Sequence, residues 1–143
     1  IGQWTHINGW VAESTDGRYK SLSLQFLMGY LFAPVVWFLG VSSEDITAVG
    51  QLLGEKTILN EFVAYTTLGA MKTSEIFKDP KSVIMATYIL CGFSNISSIG
   101  IQVGGIGALA PGKKKMLAEL GVKALIGGTI ATLMTATIVG MLY

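Results

Sequence analysis

Between Lys81 and Lys113 lie 31 consecutive residues without a single Asp, Glu, Lys or Arg. An uncharged run of this length belongs in a bilayer, yet as one straight helix it would measure roughly 46 Å at 1.5 Å per residue. The hydrocarbon core is only about 30 Å thick. The segment must therefore tilt steeply or break. Its middle reads CGFSNISSIG, Cys91 to Gly100, with Gly92, Ser94, Asn95, Ser97 and Ser98 where a lipid-facing helix wants Leu and Val. Glycine is conformationally permissive, and Asn and Ser offer the backbone alternatives to the helical ladder. Residues 81–112 are accordingly expected to form a spanning helix broken at Gly92-Phe93-Ser94-Asn95.

The rest of the chain agrees with a membrane setting. Only 13% of the 143 residues are charged and 51% are hydrophobic, with 18 glycines and a mean hydropathy of +0.57. A water-soluble domain of this size needs more charge to wet its surface. Ten basic and nine acidic residues leave a net charge of +1, with no clustered basic face for a nucleic acid. Cys91 is the only cysteine, which excludes an internal disulfide or a cysteine metal cluster, and it reads as an inert core residue. The lone His6 has no carboxylate beside it and reads as an interfacial polar group rather than a metal ligand. The chain starts at Ile1 and reads as an excerpt of a longer polypeptide.

Residues 1–20 hold Ile1, Trp4, Ile7, Trp10 and Val11 at helical spacing and predict an interfacial amphipathic helix and loop. Residues 21–43 carry no charge and predict a spanning helix kinked by Pro34. In 44–72 two short apolar stretches flank Gly54-Glu55-Lys56, as a re-entrant hairpin with its tip at that trio requires. Residues 115–143 form the last spanning helix, charge-free from Ala124 onward. The fold class is thus an all-α membrane protein with spanning helices, one re-entrant helical hairpin and one broken helix. Lys113, Lys114 and Lys115 set the lysine loop in the cytoplasm and Tyr143 outside.

GALAPGKK, Gly107 to Lys114, misses the phosphate-loop pattern at its hydroxyl position, and Pro111 removes a backbone donor. The glycines at 100, 104, 105 and 107, and those at 121, 127, 128 and 140, read as faces for close helix packing. No nucleophile–base pair is present in the membrane segments, so an enzyme is not expected.

Glu61, in TILNEFVAY, has no cation one helical turn away. An acid inside a membrane helix costs a few kcal/mol and is kept where it faces water, a partner or a substrate. Together with Asn60, Asn95, Ser97 and Ser98 it predicts a polar pocket at midplane, with Phe93 beside it. A carboxylate accepts from paired hydroxyls, an amide gives and accepts, and a serine adds a small donor. Such an inventory suits a neutral, hydroxyl-rich solute. An interhelical polar cluster that only holds helices together would use the same residues.

Gly54-Glu55-Lys56, Asn60-Glu61-Phe62-Val63-Ala64-Tyr65, Cys91-Gly92-Phe93-Ser94-Asn95-Ile96-Ser97-Ser98-Ile99, GGIGALAP at 104–111 and TATIVGML at 135–142 resemble the carboxy-terminal half of the concentrative nucleoside transporter family. The resemblance implies the second half of an inverted-repeat symporter that assembles as a homotrimer. It places residues 44–143 in the part that moves. It assigns ribose binding to Glu61, Asn95 and Ser98 and packing against the nucleoside to Phe93; Asn60 and Ser97 of the polar pocket are expected in supporting places. It implies no cofactor, but a coupling cation, sodium or proton, held mostly by segments outside these 143 residues. Base preference belongs to those segments too. Ser94 departs from the family, many of whose members carry a small apolar residue there. The implied partners are a nucleoside, the lipid bilayer and the rest of the transporter chain, and the implied location is a bacterial inner membrane. The competing expectation is a non-transporting membrane structural or assembly subunit.

Overall fold

The computed structural model describes residues 5–15 and 23–143, and every regular element among them is helical. Helix α1 (Thr5–Ser14) exposes Trp10 and buries Val11. Ile1 and Trp4 of the expected amphipathic stripe lie outside the described residues.

Helix α2 (Leu24–Phe38) starts where the Ser23 hydroxyl accepts from Phe26 N at 3.2 Å. It keeps Pro34 in its interior and ends before Gly40, whose φ of +82° suits a residue without Cβ. Its 15 residues occupy the middle of the stretch expected to span and reach only about 22 Å. One face packs on α3 (Ile46–Ile58), and the other exposes Leu24, Leu27, Leu31, Trp37 and Phe38. The approach is close: a Cβ on Gly50 would lie 2.5 Å from Gly29 O, and one on Gly54 would lie 2.6 Å from Met28 Cβ.

Helix α3 and α4 (Glu61–Thr73) form a helical hairpin whose turn is Leu59-Asn60. Asn60 is extended, and its Oδ1 accepts from Val63 N at 3.0 Å, which caps α4. The expected tip at Gly54-Glu55-Lys56 is therefore corrected, since those residues belong to the last two turns of α3. Each has a use there that its polarity alone does not reveal. Gly54 lets Met28 approach, Glu55 Oε1 accepts from Gln51 Nε2 at 2.9 Å one turn back, and Lys56 is wholly buried.

Buried Asp45 ties the base of the hairpin to the next helix. Its two carboxylate oxygens accept from Lys78 N at 2.9 Å and Asp79 N at 3.0 Å. Helix α5 (Pro80–Leu90) follows, with Asp79 as its N-cap and Pro80 at its first position, where no N–H is needed. The chain leaves the helix at Cys91 and resumes it in α6 (Ile96–Leu109), so the long uncharged run is broken at 91–95. Cys91, expected in a packed core, is exposed at this break. Pro111–Lys113 make one tight 3₁₀ turn into α7 (Lys114–Leu142).

Among the described residues, Pro111–Leu142 is the one helix long and apolar enough to cross a membrane, and only 11% of its most apolar window is buried. The core is centred on α3, where Ala48, Val49, Leu52 and Leu53 meet Val36, Leu68, Met85 and Ile89. The two glycine faces separate. On α7 a Cβ at Gly121, Gly128 or Gly140 would press on Ile99, Ser94 or Met85, while Gly127 faces open space. On α6 only Gly107 is packed, against Lys114, and Gly100, Gly104 and Gly105 face open space.

Candidate functional site

The break and the hairpin turn meet. Asn95, 2% exposed, is the N-cap of α6, and its Oδ1 accepts from Ser98 N at 2.7 Å and from Ser98 Oγ at 2.8 Å. That leaves its amide nitrogen to donate to Glu61 Oε2 at 2.9 Å. Glu61 is the first residue of α4, where the N-terminal end of the helix dipole favours a carboxylate. The two residues are far apart in sequence, but each stands at the start of a half-length helix. Backbone geometry at two caps thus places them together.

Beside this link lies a cavity of about 420 Å³ between α6 and α7. Gly92, Phe93, Ser94, Asn95 and Ser98 line it from the break, and Leu120, Gly121, Ala124 and Gly128 line it from α7. The Phe93 ring is 80% exposed, which is unusual for a side chain of that size with a packed role. Ser94 is buried against Gly128, with no hydrogen-bond partner for its hydroxyl among the described residues. Asn60 spends its side chain on the α4 cap, and Ser97 is exposed on α6 without lining the cavity. The structure therefore gathers Phe93, Asn95 and Ser98 on the cavity, joins Glu61 to them through Asn95 although Glu61 does not itself line the cavity, and leaves Asn60 and Ser97 at the margin.

Three residues of this region have roles that the sequence did not reveal. Lys56 is fully buried, and its Nζ donates to Ile89 O at 2.9 Å and Thr132 Oγ1 at 3.3 Å. Gln102 lines the cavity one face with Asn95 and Ser98, at a helical spacing that was open to inspection. Asp45 holds the hairpin base as described. Tyr65 adds a tie between α4 and α5 through its hydroxyl, which donates to Thr87 O at 2.9 Å. No group of three or more His, Cys, Asp or Glu side chains suited to a metal ion occurs among the described residues.

Chemically, the arrangement offers one amide already oriented by its cap, one hydroxyl and an exposed ring around a partly apolar cavity, with one carboxylate bonded to that amide. Pre-oriented groups lose little freedom when a ligand arrives. Nothing in the site resembles an activated nucleophile.

Residues 2–140 match the protein family described as Na+ dependent nucleoside transporter C-terminus. The chain is 41% identical to solute carrier family 28 member 3 of Homo sapiens, covering 87% of this chain and 20% of that protein. It is 38% identical to sodium/nucleoside cotransporter 1 of Rattus norvegicus, covering 94% of this chain and 22% of that protein. A solved structure of CNTnw in an inward-facing substrate-bound state superimposes with a TM-score of 0.77 at 35% identity, over 95% of this chain and 32% of that one. The chain spans about a third or less of the length of the relatives it matches.

Proposed function

Because this chain belongs to the Na+ dependent nucleoside transporter family, we propose that it is the carboxy-terminal portion of a cation-coupled nucleoside symporter. It is an integral membrane protein of all-α type and not an enzyme. In this reading Glu61, Asn95 and Ser98 bind the ribose hydroxyls at the membrane midplane, and the Phe93 ring packs against the nucleoside. Asn60 supports them by fixing the start of α4, and Ser97 stands beside them.

The observation that carries the reading is the 2.9 Å bond to Glu61 from Asn95, which itself lines the cavity. Asn95 keeps a second amide hydrogen, and Glu61 keeps its other oxygen, for a diol. A ligand hydroxyl can join this network without first breaking a cap. The hairpin supports a re-entrant role, because its two 13-residue helices are each about 20 Å long and too short to span. Half-helix ends converging at midplane are a common substrate-site device in transporters.

Transport proceeds by alternating access, with residues 44–143 in the moving part. Binding of the coupling cation, sodium or proton, favours the loaded state. Its site lies mostly in segments of the full-length protein beyond this chain, as does the choice of base. The whole protein works as a homotrimer in a bacterial inner membrane, with Tyr143 on the outer side.

The test is uptake of uridine and adenosine by the full-length protein in liposomes, with and without a sodium gradient. Glu61→Gln should lower uptake at least about tenfold, the loss of one charge-assisted hydrogen bond or more, while protein abundance stays near that of the parent. Unchanged uptake in Glu61→Gln removes the site assignment, and absence of uptake in the parent favours a structural or assembly subunit.

A further inference from the structure

Lys56 is the largest fully buried side chain among the described residues, and it does not line the cavity. Burying a lysine in a membrane segment is costly unless its donors are satisfied by something the fold needs. Its two acceptors tell what that is.

Ile89 O belongs to the last turn of α5, where the chain leaves the helix at Cys91. Carbonyls of a last turn have no intrahelical donor. At the C-terminal end of a helix dipole a lysine is the favoured supplier. Thr132 on α7 is a relay rather than an end point: its hydroxyl accepts from Lys56 Nζ at 3.3 Å and donates to Thr129 O at 2.9 Å. Gly92, which lines the cavity, is wedged into the same corner. A Cβ there would overlap Thr132 Cγ2 and lie 3.6 Å from Lys56 Nζ.

The last turn of α3 and the first residue of α4 therefore grip the two sides of the break with neighbouring, opposite charges. Lys56 takes the carbonyl end of α5, and Glu61 takes Asn95, which caps the amide end of α6. Between Ile89 and Asn95 run only Leu90 to Ser94. Their path is set from both ends, and it carries Gly92, Phe93 and Ser94 of the cavity wall.

We infer that Lys56 is a positioning residue of the nucleoside site: by capping the carbonyl end of α5 and bracing it on Thr132, it holds the broken segment so that Phe93 and Asn95 face the ligand. This rests on the transporter reading above. Lys56 touches no ligand atom in this scheme; its effect reaches the nucleoside through the backbone of 91–95, which the Thr132 variants read, and through its positive charge near Glu61, which they leave in place.

The test uses the full-length transporter in liposomes, measuring KM and maximal rate per molecule for uridine and adenosine. Lys56→Met keeps the length and removes both bonds. KM should rise about tenfold, with the maximal rate per molecule within about threefold, the pattern of lost binding rather than a lost transport step. Thr132→Val and Thr132→Ser separate bonding from packing and carry the test if Lys56→Met does not accumulate. Thr132→Val keeps the bulk and loses the acceptor, so KM should rise about threefold, as for one weak hydrogen bond. Thr132→Ser keeps the acceptor and should retain the parent KM. A KM within twofold of the parent in Lys56→Met, or a Thr132→Val protein that binds as tightly as Thr132→Ser, overturns the inference while leaving the transporter reading intact. A parent protein that moves neither nucleoside overturns both.

Discussion

Asn95 serves two elements with one side chain: its Oδ1 caps α6 through Ser98 N at 2.7 Å, and its Nδ2 donates to Glu61 Oε2 at 2.9 Å. Start of helix and start of site are thereby the same atom group. The cap fixes the amide plane, and the amide plane fixes where Glu61 is held. Substitutions at 95 should therefore act on folding and binding together.

Asn95→Asp keeps an oxygen for the cap but loses the donor and sets a carboxylate against Glu61. Nucleoside uptake per folded molecule of the full-length protein should fall at least about tenfold, and the buried pair of carboxylates should lower the melting temperature as well. Asn95→Ala loses both functions and should also destabilise by about 1 kcal/mol, read as a lower melting temperature in detergent. Comparable uptake in Asn95→Asp and the parent would refute a donor role for this amide.

Gly92 has no room for a methyl group, because the new Cβ would overlap Thr132 Cγ2. Gly92→Ala should cost about 1–3 kcal/mol, as overpacking does in a well-filled interior. Adding Thr132→Ser removes the opposing methyl, and most of the lost melting temperature should return. Failure of the pair to recover would show that the strain lies elsewhere in 91–95.

Asp45 is fully buried and meets two backbone N–H groups across the hairpin base. Asp45→Ala leaves both donors without a partner and should destabilise the full-length protein by about 2–4 kcal/mol. Abundance and melting temperature should drop, whereas the KM of the protein that does fold should hold, since Asp45 does not line the cavity. A changed KM at normal abundance would contradict a purely architectural role.

Some of this was open to inspection in the chain itself. The break at 91–95 follows from length, because 31 uncharged residues outrun the hydrocarbon thickness and Gly92 with Asn95 marks the weakest place. Glu61 was visible because an acid in an apolar stretch is expensive. The turn of the hairpin was not. Gly54-Glu55-Lys56 carries every compositional mark of a turn, yet Leu59-Asn60 makes it, because Asn60 supplies a cap while Gly54 is used for contact with Met28. Cys91 was expected in the core and is exposed, since α5 ends one residue before it.

Local cost and periodicity, which depend on residues within a few turns of one another, decided which segments are apolar helices, where the longest must break and which polar groups need a reason to be there. Which of those groups meet was decided only by the packed chain. Lys56 finds a carbonyl 33 residues away and a hydroxyl 76 away, and Asn95 finds Glu61 across 34. Two of those three partners are side chains with many possible mates, and the third is a main-chain carbonyl that every residue possesses. Such pairings leave no trace in spacing, and they exist because the packing of α3 on α5 and of α5 on α7, and the meeting of the α4 and α6 starts, bring these donors and acceptors within reach.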